Sequence, residues 1–301
     1  MKRTLFASLF LLGFATTNLH AEIIGEWTFD NQNGTNTSGH ARAGDHEATA
    51  IGNVKYVKRG NGYCADLRDP NTSFIVQGTT DRANGSAGGG PASVYHKTFD
   101  DDIFSSSGTR KFSISLLAKG FPGKWCPFVA KKGEAGWGWQ FRAEGATDGS
   151  NSYLTTTIRN SNAGTKADPK PPEDPKSQRL EDAIPGFDKD AWHHYATVWD
   201  GSKQTLDIFV DGVNVLSLTN YNPKVKISRG EFLTFGARDH DKTPLNGEAA
   251  VMLDQIRIYN HALNSSELAT LRSELPEPCT MGLLALGGTA LLARRRKRKN
   301  A

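Results

Sequence analysis

Residues 205–218 read TLDIFVDGVNVLSL, and this stretch constrains the fold more than any other. Leu206, Ile208 and Val210 fall on every second position up to Asp211-Gly212, and a second β-prone run begins at once. Side chains on a strand point to opposite faces in turn, so this spacing predicts one buried face. Asp-Gly is a favoured two-residue hairpin turn. A lone hairpin is marginal in water, so its apolar face requires further strands.

Those strands are legible on both sides of it. IIGEWTF (23–29), YCADL (63–67), SFIVQ (73–77) and KFSISLLA (111–118) are short β-prone runs between Gly, Asn, Asp and Ser clusters. WGWQFRA (137–143), SYLTTTIR (152–159), WHHYATVW (192–199), EFLTFGA (231–237) and VMLDQIRIY (251–259) continue the series. Many short strands at such intervals predict an all-β sandwich, jelly roll or barrel. The one convincing helix is NSSELATLRS (264–273), where Asn264 caps the start and Glu267 reaches back to it. Leu263, Leu268 and Leu271 would pack it on the strands.

Both ends of the chain read as addresses. MKRTLFASLFLLGFATTNLHA (1–21) has a basic start, an apolar centre and a small residue, Ala21, at its end, the pattern of a secretory signal peptide; the alternative is a short uncleaved anchor. At the other end, Cys279 to Ala293 is apolar and is followed by the basic block Arg294–Lys299. That run is shorter than the about 20 apolar residues a stable span needs.

The charge follows from the ends. The chain has 36 Lys and Arg against 32 Asp and Glu, a net charge of +4. Setting aside residues 1–21 (two basic groups) and 276–301 (six basic groups and Glu277) leaves 28 basic against 31 acidic, or −3. The basic balance therefore gives no support to nucleic-acid binding. Residues 22–275 suffice for one large β-sandwich domain without a disulfide framework. That segment has two cysteines, Cys64 and Cys126, compatible with one disulfide in an oxidising compartment or with two buried thiols. Residues 160–187 hold five prolines and read as a long loop insertion.

GEWTFD, NTSGHARAGDHEAT, AWHHYATVWDGSKQTLDIFVDGVNV, LTFGARD and LDQIRIYNHALNSSELATL together resemble the laminin-G-like, concanavalin A-like jelly-roll family. The resemblance spans most of residues 22–273. It implies two antiparallel sheets in a β-sandwich, so the expected fold is an all-β jelly roll with one short C-terminal helix, flanked by two removable hydrophobic targeting segments. The tail, Pro276-Glu277-Pro278 followed by an apolar segment and an Arg cluster, resembles the PEP-CTERM sorting signal. It implies transient anchoring in the inner membrane, cleavage by an exosortase-type enzyme, and delivery to the cell surface or extracellular matrix; a permanent anchor is the alternative.

Site expectations come from the resemblance and from residue chemistry. Relatives often hold one structural Ca²⁺ on an acid-Ser-Gly turn and an Asp of the last long strand. The corresponding residues are Asn36, Ser38 and Asp254, with Asn36 in place of the usual Asp and Asp30 or Asp45 able to compensate. His193 and His194 point to opposite faces of one strand, which argues against a shared metal, and His194 reads as a structural histidine. Binding extracellular polysaccharide needs aromatic faces and planar polar groups. Trp137, Trp139, Arg142, Tyr153, Arg159 and Trp199 are the candidates, with part of that set necessarily core. No paired-carboxylate triplet for glycoside hydrolysis is present on one strand, so no catalytic residue is assigned. The sequence thus points to an exported, non-catalytic carbohydrate-binding protein. The alternatives are a structural matrix protein acting by protein contacts and, third, a polysaccharide-degrading enzyme.

Overall fold

The computed structural model describes residues 23–33, 47–69, 71–76, 111–123, 125–133, 136–144, 152–158, 175–221, 233–237 and 250–273. For Ile75, Lys132, Gly133 and residues 136–138 it describes the backbone alone. Both targeting segments and the first part of the 160–187 insertion lie outside these residues. Among the described residues no helix is long and apolar enough to cross a membrane.

Two antiparallel sheets form a jelly-roll-like sandwich. The larger contains β1 (Ile23–Trp27), β3 (Lys55–Arg59), β4 (Gly62–Asp66), β6 (Lys111–Lys119), β10 (Trp192–Asp200), β11 (Thr205–Val210), β12 (Val213–Leu218) and β14 (Met252–Tyr259). Its order is β12-β11-β10-β6-β14-β4-β3, with β1 also paired to β14. The smaller contains β2 (Ala48–Ile51), β5 (Ser73–Val76), β7 (Pro127–Gly133), β8 (Gly136–Ala143), β9 (Leu154–Ile158) and β13 (Leu233–Phe235). Its order is β2-β5-β13-β7-β8-β9. Strands β2, β3 and β7 are additions to the sequence reading.

The predicted hairpin forms as β11 and β12. Leu206, Ile208 and Val210 are fully buried, and Asp211 and Gly212 both take positive φ (50° and 77°), as a tight turn matched to strand twist requires. The core lies between the sheets. Tyr195 of β10 packs on Phe128 of β7 at 4.9 Å between ring centroids, and Phe112 of β6 on Trp139 of β8 at 5.8 Å. One polar pair crosses the same gap, Thr156 with Thr197 at 2.7 Å. Lys131 faces this core, opposite Leu233 and Trp139, and burial pulls its ammonium down to about 7.

The outward face of β10 is covered too. Ala196 and Val198 pack with Tyr259, Leu263, Leu268 and Leu271 under α2 (Ser265–Arg272). The expected cap is present: Asn264 Oδ1 accepts from the amides of Ser266 and Glu267, and Glu267 accepts from the Asn264 amide. His194 is buried on this face, with Nε2 at 2.8 Å from Ser115 Oγ, and burial lowers its pKa to about 4. It is therefore a neutral, structural histidine.

Residues 175–187 are the described part of the 160–187 insertion, for which the sequence offers a partly ordered flap or a surface loop. They form a strap that includes α1, the single turn Leu180–Ala183. The Ser177 amide donates to Leu154 O and the Leu180 amide to Ser152 O, beside β9, whereas the Gln178 amide donates to Val215 O of β12. The strap thus links an edge of each sheet, and Leu180 inserts into the core. His193 fastens its end. Its Nδ1 lies 2.6 Å from Asp211 Oδ2, its Nε2 lies 2.7 Å from Asp188 O, and Phe187 stacks on the ring at 4.5 Å. Both ring nitrogens face acceptors, an arrangement that only the imidazolium satisfies.

Burial opposes that charge, but the bonds to Asp211 and the Asp188 carbonyl outweigh it and raise the His193 pKa above 6.5. The raised value means stability that is fully present below the unfolded pKa and lost as pH rises through the folded one. The melting-temperature gap between the wild type and His193→Gln should accordingly be widest near about pH 5.5 and narrow towards about pH 8, read by thermal melts across that range.

Candidate functional site

Alternation along β8 sorts the predicted binding residues. Trp139 and Phe141 turn inward, and Gln140 and Arg142 turn to the opposite face. Trp139 is fully buried against Phe112, so it offers no surface to a ligand. Trp199 is likewise core, with its ring edge-on to Tyr221 at 5.7 Å. Both depart from the expectation for the same reason: the inter-sheet gap claims every large ring on the inward face. The Trp137 side chain and Arg159 lie outside the described residues. Arg142 and Tyr153 do come together.

They meet at the end of the smaller sheet, around a residue that the sequence reading left out. Glu144 follows β8 on the outward side, and its Oε2 accepts from Arg142 Nη2 at 2.9 Å. Arg142 Nη1 donates to Gln140 Oε1 at 3.3 Å. The other carboxylate oxygen, Glu144 Oε1, accepts from the indole Nε1 of Trp125 at 3.0 Å. The Glu144 amide donates to Tyr153 O at 2.8 Å, which places the half-buried Tyr153 beside the same corner.

Trp125 is held in an uncommon conformation. Its φ is 64°, in the left-handed region that a bulky residue rarely adopts. Its amide donates to Ala143 O at 3.1 Å, and the Ala143 amide donates to Cys126 O at 3.2 Å, so the β7–β8 ladder continues through it. The side chain is 48% exposed, the most exposed large apolar group among the described residues. A strained, exposed tryptophan whose polar edge is tied down presents a fixed ring face to solvent, and such strain collects at functional sites. Next to it, Thr155 lies opposite Arg142 and Thr157 opposite Gln140. Their buried hydroxyls meet no hydrogen-bond partner among the described residues.

Of the expected calcium ligands, only Asp30 and Asp254 fall among the described residues. Asn36, Ser38 and Asp45 lie outside them. Asp30 is exposed and accepts from the Tyr63 amide at 3.2 Å. Asp254 is buried on β14 and ion-paired with the Arg59 guanidinium. Burial pushes its carboxyl up to about 7, against the pull of Arg59. Cys64 and Cys126 are both free thiols, on β4 of the larger sheet and just before β7 of the smaller one, which corrects the disulfide option.

Two antiparallel sheets in this order define a jelly-roll-like sandwich. Residues 119–269, half of the chain, match the family described as the concanavalin A-like lectin/glucanases superfamily, and the chain belongs to that family. Among solved structures it is similar to domain 4 of AbnA, a GH43 extracellular arabinanase from Geobacillus stearothermophilus, in complex with arabinotriose. The TM-score is 0.53 at 16% identity, covering 84% of this chain and 98% of that one. It is also similar to the botulinum neurotoxin serotype C1 binding domain, with TM-score 0.55 at 13% identity, covering 85% of this chain and 53% of that one. A third is the binding domain of botulinum neurotoxin DC in complex with SialylT, with TM-score 0.55 at 14% identity, covering 85% and 52%. The chain thus spans about half the length of the neurotoxin chains, and at these identities the likeness is one of fold. No curated protein matches the chain.

Two tryptophans of one sheet should respond oppositely to substitution. Trp139→Ala is expected to cost about 3–5 kcal/mol of stability, as removal of a core ring does. Trp125→Gly relieves the left-handed backbone and should leave stability within about 1 kcal/mol of the wild type. Denaturant unfolding of the two variants checks both.

Proposed function

We propose that this is an exported, non-catalytic carbohydrate-binding protein of a bacterial cell surface or extracellular matrix, sorted through its C-terminal signal by an exosortase-type enzyme. The observation that carries the binding reading is Trp125. Its exposed ring is fixed by Glu144, which Arg142 fixes in turn, and that is the geometry in which a sugar ring stacks on an aromatic face beside planar polar groups. The half-buried Tyr153 borders the same corner, whereas Gln140, Thr155 and Thr157 of the outward row are buried and offer a ligand no surface.

The carboxylate count supports binding over hydrolysis. Glycosidases of the usual kind place two carboxyl groups about 5 to 9.5 Å apart. The six strands of the smaller sheet contain no Asp or Glu, and Glu144 is engaged by both Arg142 and Trp125. That the arabinanase domain was solved with arabinotriose adds a precedent for this fold holding a short saccharide.

Affinity retardation of the purified protein on a panel of polysaccharides tests the reading. Retardation by at least one polymer is expected, and Trp125→Gly should abolish it with an unchanged melting temperature. Indifference to every polymer would sink the lectin reading in favour of a structural coat protein.

A further inference from the structure

The β3–β4 hairpin turns through Arg59-Gly60-Asn61-Gly62, with Arg59 opposite Gly62. A β-carbon on Gly62 would stand 1.7 Å from Asp30 Oδ1, so glycine is what lets the Asp30 carboxylate close onto the hairpin. Arg59, the cross-strand partner of Gly62, reaches Asp254 of β14, so the Asp254 carboxylate comes to the same end of the hairpin. Two carboxylates thus converge outside the larger sheet. The sequence resemblance leads to the expectation of a divalent cation at Asp254.

The third component here is a guanidinium. Arg59 forms an ion pair with Asp254, and the two side chains are only 11% and 3% exposed. On its other side the Arg59 guanidinium carbon lies 5.0 Å from the centroid of the Trp192 ring, a cation–π contact from β10. The charge is thereby fixed between a carboxylate and an aromatic face. Arginine does not lose its proton in proteins, so it cannot vacate the site by titration. A calcium ion needs six to eight oxygens with carboxylate lone pairs open to it. At Asp254 the guanidinium holds Oδ2 while Oδ1 accepts from the Gln255 amide, and the fixed positive charge repels a second cation.

We infer that Arg59 is a built-in replacement for the family's calcium ion: it neutralises Asp254, ties the hairpin to β14, and makes the domain independent of divalent cations. The replacement holds whether or not the protein binds glycan. It also predicts a latent site, because removing the guanidinium leaves two converging carboxylates with no cation.

Terbium luminescence with thermal melts reads both halves. Trp192 would sensitise a lanthanide bound at Asp254. The purified wild type should give no saturable terbium emission, and its melting temperature should differ by less than about 1 °C between EDTA and millimolar calcium. Arg59→Ser should melt lower in EDTA, regain part of the loss with calcium, and show terbium emission that calcium competes away. Arg59→Lys, which keeps a positive charge and covers the case of an unfolded serine variant, should stay indifferent to calcium. Saturable terbium emission from the wild type that is lost in Asp254→Asn overturns the inference. So does a folded Arg59→Ser protein that gains nothing from calcium.

Discussion

The packing of Tyr195 and Phe112 on Phe128 and Trp139 sets the register on which every other feature depends. Because strand side chains alternate, seating residue 139 in the gap sends 140, 142 and 144 to the opposite face. The Gln140–Arg142–Glu144 row is thus a consequence of where one indole is buried. A slip of one residue in β8 would bury the ion pair in the core and expose two large rings, which explains why a polar row and an aromatic row can share one strand without ambiguity.

The two outward faces of the sandwich are used differently. On the larger sheet α2 and its leucines cover β10, and the polar groups admitted there are bonded structural ones such as His194 with Ser115. Across the same face, Arg59 joins β3 to β14 and β10 through one carboxylate and one ring. On the smaller sheet the outward residues are threonines, a glutamine and an arginine, and the row ends in an exposed ring. The outward polar rows of both sheets are thus buried, and on the smaller one only the ring at the corner, among the described residues, is open to solvent.

Much of this architecture is legible in the sequence, for identifiable reasons. Strands β10 and β11 carry long period-two patterns, the Asp211-Gly212 turn has few alternatives, and the Asn264–Glu267 box is local. Strand β7 is not legible because Lys131 and Lys132 read as surface, although Lys131 turns inward. Strands β2 and β3 lie at sheet edges, where burial imposes little pattern. Trp125 sits in FPGKWC, a turn with no periodicity, and only contacts with Glu144, distant in sequence, give it meaning. Arg59 and Asp254 are separated by 195 positions, so no local motif could announce that a guanidinium stands beside the expected calcium ligand.

The strap of residues 175–187 has a consequence for assembly. Sheet edges with open backbone groups are templates onto which a neighbouring chain can add a strand. The Ser177 and Leu180 amides occupy carbonyls beside β9, and the Gln178 amide occupies one on β12. Part of each template on that flank is therefore occupied by the molecule's own chain. Where the strap sits, a second copy of the chain finds these backbone groups already taken, and association there falls to side chains.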